Sequence, residues 1–295
     1  MKSTQHAHRQ SRNDWRSRTR RVYRPIKNVI GAGISFIARA AHIDLVILGY
    51  QNMGIMRYWN DDVSGETFAR TRVLNSLGSV ANPVVLDVGA NRGDFTRSVL
   101  QESTTCSVTA FEPNPSLLGI LRGIPESRLI VVPCAVGATH GSVTLHNYCD
   151  ALGSEMSAHG SIYPDVLSTV HSASEITSVQ VEMISLDDYL ADRDIGDVHY
   201  LKIDTEGNEL EVLRGARKLI GSDAFWFIQF EFNEMNVFSR SFLRDFYEVL
   251  PNYDFFRLAE DRLIPLGVYS STNEIFRYQN LLAVNRLKVH NFSPD

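Results

Sequence analysis

The feature that most constrains the fold is a glycine turn between a buried strand and a helix. Val84–Val88 is an apolar run, and Gly89 and Gly93 follow it. A second apolar run ends at Glu112, which lies 25 residues after Asp87. This order is typical of a parallel sheet that binds a nucleotide-containing ligand. Glycine allows the backbone to approach the ligand closely, and the carboxylate can accept hydrogen bonds from ribose hydroxyls.

The spacing of the turn distinguishes between cofactors. It reads D-x-G-x-x-x-G, whereas dinucleotide sites use G-x-G-x-x-G. The missing third glycine and the lack of a Tyr-x-x-x-Lys pair in the expected place argue against a nicotinamide oxidoreductase. A turn with two glycines, with no pyrophosphate to hold, favours S-adenosylmethionine (SAM). Asn114 is equally suited to capping a turn. The predicted cofactor-binding residues are Asp87, Gly89, Ala90, Asn91, Gly93, Phe95, Glu112, Pro113, Asn114 and Ala135.

From Pro83 onward, short apolar runs alternate with helical segments, which predicts an α/β fold with a mainly parallel sheet and helices on both faces. Tyr253–Leu258 and Gln279–Asn285 indicate an antiparallel closing pair. We therefore assign residues 81–295 to one catalytic domain. Within it, residues 149–178 are weakly periodic and rich in small and polar residues, which predicts a lid or substrate loop. The other predicted strands are Val84–Val88, Ser107–Glu112, Leu129–Val132, Gly141–Tyr148, Val179–Ile184, Val198–Ile203 and Phe225–Phe232.

The N-terminal region differs in charge from the rest of the chain. Residues 1–30 contain nine Lys or Arg and one Asp, a balance of +8; since the whole chain carries −5, the remainder carries −13. We predict a disordered basic tail over residues 1–27 that contacts an anionic membrane surface or has no partner; nucleic acid is not expected. A helical extension over 28–80 follows. Its apolar run at 28–50 is interrupted by Arg39, His42 and Asp44, so we expect an amphipathic helix on the catalytic domain or on a membrane surface, not a transmembrane span.

The three cysteines form no C-x-x-C pair, which favours a reducing compartment. Dependence on SAM also favours the cytoplasm, where the cofactor is available. Peripheral attachment to the inner membrane face stays open as an alternative.

A second motif, Leu201-Lys202-Ile203-Asp204-Thr205-Glu206-Gly207, places ionisable residues at the end of a predicted strand. Asp204 falls at the edge where open α/β sheets bind ligands. Helix capping is the simpler explanation for the acids, but it does not account for Lys202, a charge in an apolar strand. Glu231 likewise interrupts an aromatic strand, and it is either the partner of Lys202 or a base or hydroxyl ligand. The predicted catalytic residues are Asp204, Glu206, Lys202 and Glu231.

The sequence also contains a histidine and a carboxylate pair with weaker signals. His159 is a weak candidate base, because a histidine in a polar loop is usually a surface residue. The sequence contains no metal-binding motif, so no metal is predicted, although Asp204 and Glu231 could together hold a divalent cation.

These motifs resemble those of FkbM-type SAM-dependent methyltransferases. The resemblance covers roughly residues 83–235 and includes L-D-V-G-A-N-x-G-x-F from Leu86, F-E-P-N-P from Phe111, S-L-D-D-Y-L from Ser185 and L-K-I-D-T-E-G-N-E-L-E-V-L-R-G-A from Leu201. It implies a Rossmann-like class I methyltransferase fold and methyl transfer to oxygen, often on a sugar or natural product. It does not supply the substrate.

The function expected from this reasoning is SAM-dependent O-methylation of a hydroxyl on a sugar, glycolipid or natural product, so the partner is a small-molecule or glycan acceptor. Asp204 would be the base, Glu206 or Glu231 would orient the acceptor, and Lys202 would keep the carboxylates ionised. A catalytically silent SAM-binding or membrane-docking module is the alternative.

Overall fold

The computed structural model describes residues 29–149, 156–169, 176–191, 193, 195–290 and 292–294. The chain divides into two compact units, Met1–Asn52 and Met53–Asp295. The predicted basic tail, residues 1–27, lies outside the described residues.

The first unit contains two helices where the sequence predicted one, α1 (Val29–Ala40) and α2 (Leu45–Asn52). Between them His42 adopts a left-handed backbone conformation with φ 55°. Asp44 then begins α2, because its Oδ1 accepts hydrogen bonds from the amides of Val46 at 2.8 Å and Ile47 at 3.2 Å. The helices meet at 107°. In the described part of the chain no single helix is long and apolar enough to cross a membrane; only this bent pair, taken together, reaches that length and composition.

The second unit is an α/β body. Its helices are α3 (Asp61–Ser64), α4 (Glu66–Ser76), α5 (Asp94–Glu102), α6 (Pro115–Arg122), α7 (Pro164–Thr169), α8 (Leu186–Ala191), α9 (Glu209–Arg214), α10 (Arg217–Gly221), α11 (Met235–Phe238) and α12 (Leu243–Val249). Its strands are β1 (Val84–Val88), β2 (Ser107–Phe111), β3 (Leu129–Val132), β4 (Ala135–Val136), β5 (Gly141–Cys149), β6 (Met156–Ser161), β7 (Ile176–Ile184), β8 (Val198–Ile203), β9 (Phe225–Phe232), β10 (Tyr253–Ala259), β11 (Arg262–Pro265) and β12 (Gln279–Asn285).

The large sheet has the order β11-β10-β12-β9-β8-β1-β2-β3. Strands β9, β8, β1, β2 and β3 are parallel, and β12 runs antiparallel to both β9 and β10. The chain moves outward from β1 toward β3 and later from β8 toward β9, so the order reverses between β1 and β8. Open α/β sheets bind ligands at this switch point. The parallel sheet, with helices on both faces and an antiparallel closing strand, confirms the predicted class I methyltransferase fold.

Both faces of the large sheet are covered by helices, and α4 is one of them. Helices α8, α9 and α12 pack on one face. On the other face α4 buries Ala69 and Val73 in one core with Val85, Phe95 of α5 and Leu258. The sequence had placed α4 in an extension that ends at residue 80. The structure instead divides the chain after Asn52, because the apolar side of α4 completes the core of the sheet.

A smaller sheet has the order β4-β7-β5-β6 and includes part of the predicted lid or substrate loop. Residues 156–161 form a strand paired with β5, and residues 164–169 form helix α7. Backbone pairing thus orders much of the segment that the sequence suggested was irregular. Residues 150–155 and 170–175 lie outside the described residues.

Candidate active site

A cleft opens at the switch point of the large sheet. Its volume is about 830 Å³ including the space that opens to solvent. The carboxyl ends of β1, β2, β8 and β9 and residues of the small sheet line it. The predicted residues that line it are Gly89, Asn91, Glu112, Pro113, Asn114, Ala135, Asp204, Glu206 and Glu231.

Glu112 sits at the end of β2 and organises the cofactor side of the cleft. Its Oε2 accepts a hydrogen bond from the amide of Asn91 at 2.7 Å, and its Oε1 accepts one from the amide of Asn114 at 2.8 Å. Burial raises the pKa of Glu112 to about 7, although these two amides act to lower it. Each oxygen has a second lone pair, so the carboxylate can also accept hydrogen bonds from a diol.

Asp87 lies beneath the cleft and is 1% exposed. Its Oδ2 accepts a hydrogen bond from the hydroxyl of Thr96 at 2.6 Å, whereas the buried Oδ1 has no hydrogen-bond partner in the described part of the chain. Burial raises the pKa of Asp87, and the Lys202 ammonium lowers it. An orphaned buried oxygen at the end of β1 can accept a hydrogen bond from a ligand in the cleft.

The glycine turn is shaped by packing. Gly89 has φ 83°, and a Cβ atom there would overlap the carbonyl oxygen of Asp204. Gly93 has φ 84°, and its Cβ would lie 2.7 Å from Leu121 Cδ2. Gly93 therefore packs against α6 and does not line the cleft. These positions require glycine because of backbone conformation and close packing, beyond the ligand access that the sequence suggested.

Ala90 and Phe95 do not line the cleft but pack near residues that do. The amides of Gly89 and Ala90 both donate to the carbonyl of Phe111 at 3.0 Å, which fixes the turn on β2. Phe95 packs edge-on against Tyr200, and Lys202 Nζ lies 5.6 Å from the centre of the Phe95 ring.

Lys202 pairs with Asp204, not with Glu231. Its Nζ lies 2.9 Å from Asp204 Oδ2, and the two side chains are 9% and 31% exposed. Burial alone would lower the pKa of Lys202, but the carboxylates of Asp204, Glu66 and Asp87 raise it well above its ordinary value. Asp204 Oδ1 accepts no hydrogen bond from the described residues. Asp204 thus presents a positioned carboxylate oxygen to the cleft.

Glu231 lines the cleft near the end of β9, beside the end of β8 that carries Asp204. Its Oε2 accepts a hydrogen bond from Asn233 Nδ2 at 2.9 Å. Burial raises the pKa of Glu231 well above its ordinary value, and the negative charges of Asp204, Glu206 and Glu66 raise it further. Its protonated form can therefore donate a hydrogen bond to an oxygen in the cleft.

Glu206 occupies the turn after β8 with φ 55°, a strained conformation for a residue with a Cβ. Ser161 at the end of β6 donates its hydroxyl to the Glu206 carbonyl at 2.8 Å. Gly160 and Ile162, on either side of Ser161, line the cleft, so the small sheet contributes to its wall. His159 lies in β6, and its side chain lies outside the described residues.

The sequence reasoning missed two carboxylates, the half-buried Glu66 and the buried Glu209. Glu66 of α4 accepts a hydrogen bond from Gln229 Nε2 at 3.1 Å, and it belongs to the charges around Lys202. Glu209 Oε1 accepts hydrogen bonds from the amides of Thr205 at 3.0 Å and Gly207 at 3.1 Å, which fixes the Glu206 turn. Glu209 could have been found from the sequence, because an acidic residue at the start of a predicted helix often caps it. Glu66 could not, because it lies far in sequence from both the glycine turn and the motif that begins at Leu201.

The comparison with known families settles the relationship that these motifs suggested. The profile of the methyltransferase FkbM domain matches residues 87–280, more than half of the chain. The chain belongs to the FkbM methyltransferase family. The matched region contains the predicted catalytic and cofactor-binding residues, whereas Glu66 of this FkbM methyltransferase lies before it.

Individual relatives are distant. The 2-O-methyltransferase NoeI of Sinorhizobium fredii (strain NBRC 101917 / NGR234) is 25% identical over 189 residues, which cover 62% of this chain and 77% of NoeI. Among solved structures, the precorrin-6y C5,15-methyltransferase of Geobacter metallireducens GS-15 is 11% identical with a TM-score of 0.39, over 74% of this chain and 88% of that one. The N-methyltransferase NodS of Bradyrhizobium japonicum WM9 is 13% identical with a TM-score of 0.36, over 77% and 99%.

Proposed function

We propose that this protein is a SAM-dependent O-methyltransferase whose acceptor is a hydroxyl of a sugar, glycolipid or natural product. The observation that carries the proposal is the convergence of Asp204, Glu206 and Glu231 on the cleft that Glu112 also lines. A wall of carboxyl groups suits a polyhydroxylated acceptor and disfavours an anionic one. The relationship to NoeI, a 2-O-methyltransferase, supports the same choice.

The residues of the cleft fit SAM. Glu112 can accept the hydrogen bonds of the ribose diol, and the orphaned Oδ1 of Asp87 can accept one from the amino-acid end of the cofactor. Phe111, Cys134 and Val136 supply apolar surface for the adenine ring. When bound, SAM supplies an electrophilic methyl group on its sulfonium.

The protein's contribution is positioning and proton removal. Asp204 Oδ1 accepts the proton of the acceptor hydroxyl, while Lys202 holds the other oxygen of that carboxylate in place. The carboxyl group of Glu231 holds a neighbouring oxygen of the acceptor. Glu206, in the turn that Glu209 and Ser161 fix, contributes a second orienting carboxylate. Most of the acceleration comes from orientation, because a sulfonium methyl needs little further activation.

The first test is calorimetric binding of SAM and S-adenosylhomocysteine to the wild type and to Glu112→Ala. The control is Glu248→Ala, which removes a carboxylate that is 67% exposed, on α12. We expect binding that the Glu112 variant loses and the Glu248 variant keeps, with thermal unfolding showing that both are folded. Absence of binding to the folded wild type would overturn the proposal.

The second test is transfer of labelled methyl from SAM to sugars, glycolipids and matched amino sugars. NMR of the product identifies the methylated atom. Methylation of oxygen supports the proposal, and methylation of nitrogen alone contradicts it. Cofactor binding without turnover on any acceptor would favour the silent SAM-binding alternative.

A further inference from the structure

The first unit carries an exposed apolar surface that methyl transfer does not use. In α2 no residue is buried. Phe36 and Ile37 of α1 are 71% and 65% exposed, and Val46 of α2 is 62% exposed. Folded proteins seldom leave so many adjacent apolar side chains in water unless the surface binds something. The exposed large apolar residues of these helices are Val29, Ile30, Ile34, Phe36, Ile37, Leu45, Val46, Ile47 and Leu48.

The charges of the surrounding sequence indicate what this surface binds. Between residues 29 and 52 the formal charges are only Arg39 and Asp44. The segment directly before α1 holds all nine Lys and Arg of residues 1–30. A cationic segment followed by an apolar one matches an anionic bilayer, in which phosphate groups lie beside the acyl chains. A protein partner would need no such separation of charge from apolar surface.

We propose that α1 and α2 dock this methyltransferase on an anionic membrane, with their apolar side chains in one leaflet. No residue of α1 or α2 is among those that line the cleft, and the inference does not depend on the proposed function.

The helix dimensions favour insertion into one leaflet. At about 1.5 Å per residue, α1 and α2 are about 18 Å and 12 Å long, whereas the hydrocarbon core of a bilayer is about 30 Å thick. The two axes meet at 107°. Arg39 and Asp44 lie on either side of the bend, so the bend stays at the level of the headgroups. The pair therefore lies in the plane of the interface.

The test is co-sedimentation of the full chain with vesicles of phosphatidylcholine alone and of phosphatidylcholine mixed with phosphatidylserine. The variants are Phe36→Gln with Ile37→Gln in α1, and Val46→Gln with Leu48→Gln in α2. The matched control is Val237→Gln with Val268→Gln, which changes side chains of the second unit that are 55% and 89% exposed. SAM calorimetry on every variant reports separately whether the cleft is intact.

We expect the wild type and the control to bind the mixed vesicles, and salt to weaken that binding because it screens charges. Each helix variant should lose about 100-fold in partitioning, from the loss of two buried apolar side chains. Equal binding by the helix variants and the control would overturn the proposal. The proposal would also be overturned if the wild type does not bind vesicles and sediments as an oligomer, and if the helix variants are monomeric. A second copy of the chain would then cover this surface. If the circular dichroism spectrum of one helix variant differs from that of the wild type, the other helix variant decides the test.

Discussion

The backbone of Gly89 packs against the carbonyl oxygen of Asp204, so the glycine turn after β1 and the acidic turn after β8 are in direct contact. The motif expected to hold the cofactor and the motif expected to act on the acceptor are 115 residues apart in the sequence. Their contact means that a change in one turn displaces the other.

Gly89→Ala should therefore impair both halves of the site. The left-handed conformation alone costs a residue with a Cβ about 1–3 kcal/mol, and the added methyl also overlaps a backbone atom that cannot rotate away. We expect a lower unfolding midpoint in denaturant and at least a tenfold loss of SAM affinity. Gly119→Ala in α6 is the control, because no atom lies within 4 Å of its Cβ position. If Gly89→Ala binds SAM as tightly as the wild type does, the contact between Gly89 and Asp204 is not needed for cofactor binding.

Asp204→Asn should separate catalysis from cofactor binding. The amide keeps the size of the side chain but cannot take the proton, so we expect turnover to fall by about 10²- to 10⁴-fold. SAM affinity should stay close to that of the wild type. Single-turnover kinetics and calorimetry on the same preparation measure the two quantities. If SAM affinity falls as far as turnover does, Asp204 acts in the cofactor site and not as the base.

Lys202→Met should destabilise the fold by about 3–5 kcal/mol, because it leaves a buried cluster of carboxylates without its cation. Glu66→Gln keeps an oxygen that can accept the hydrogen bond from Gln229 Nε2 while removing one of those charges. The double variant should therefore recover part of the stability that Lys202→Met loses. Urea unfolding of the wild type, both single variants and the double variant gives the coupling energy. Additive effects would show that Glu66 and Lys202 do not interact.

The pKa of Glu112, raised to about 7, predicts opposite pH effects on cofactor affinity and on stability. The ionised carboxylate accepts both ribose hydroxyls, so SAM affinity should be full above about pH 7 and fall below it by up to tenfold per pH unit. The pKa of Glu112 is higher in the folded chain than its ordinary value of 4.5, so folding favours the protonated form. The contribution of Glu112 to the free energy of unfolding therefore falls as pH rises from 4.5 to about 7.

Glu209 separates the two effects. Burial raises its pKa to about 7 as well, but it does not line the cleft. Glu209→Gln should reduce the pH dependence of stability and leave that of SAM affinity unchanged. Calorimetry and thermal unfolding across pH 5 to 8 in matched buffers measure both. A SAM affinity that does not change over this range would exclude Glu112 as the ribose ligand.

The sequence by itself determined the local elements and the family. The strand, turn and helix from Val84 follow from apolar periodicity and two glycines, which act over a few residues. Strands β1, β3, β8, β9 and β12 begin and end where the sequence predicted. Helices α9 and α10 are separated at Gly215, whose backbone lies so close to the carbonyl of Gly137 that a Cβ there would overlap it. This distant contact has no local signal in the sequence.

The tertiary structure alone decided how the charged residues are paired. Periodicity could not choose between Asp204 and Glu231 as the partner of Lys202. The course of the turn after β8 places Asp204 Oδ2 2.9 Å from Lys202 Nζ, whereas the register of β9 aligns Gln229 with Lys202. Glu66 joins the same cluster only because the apolar side of α4 packs on the sheet. Local patterns specify elements because their causes lie within a few residues, whereas a buried charge finds its partner through contacts that exist only once the sheet has assembled.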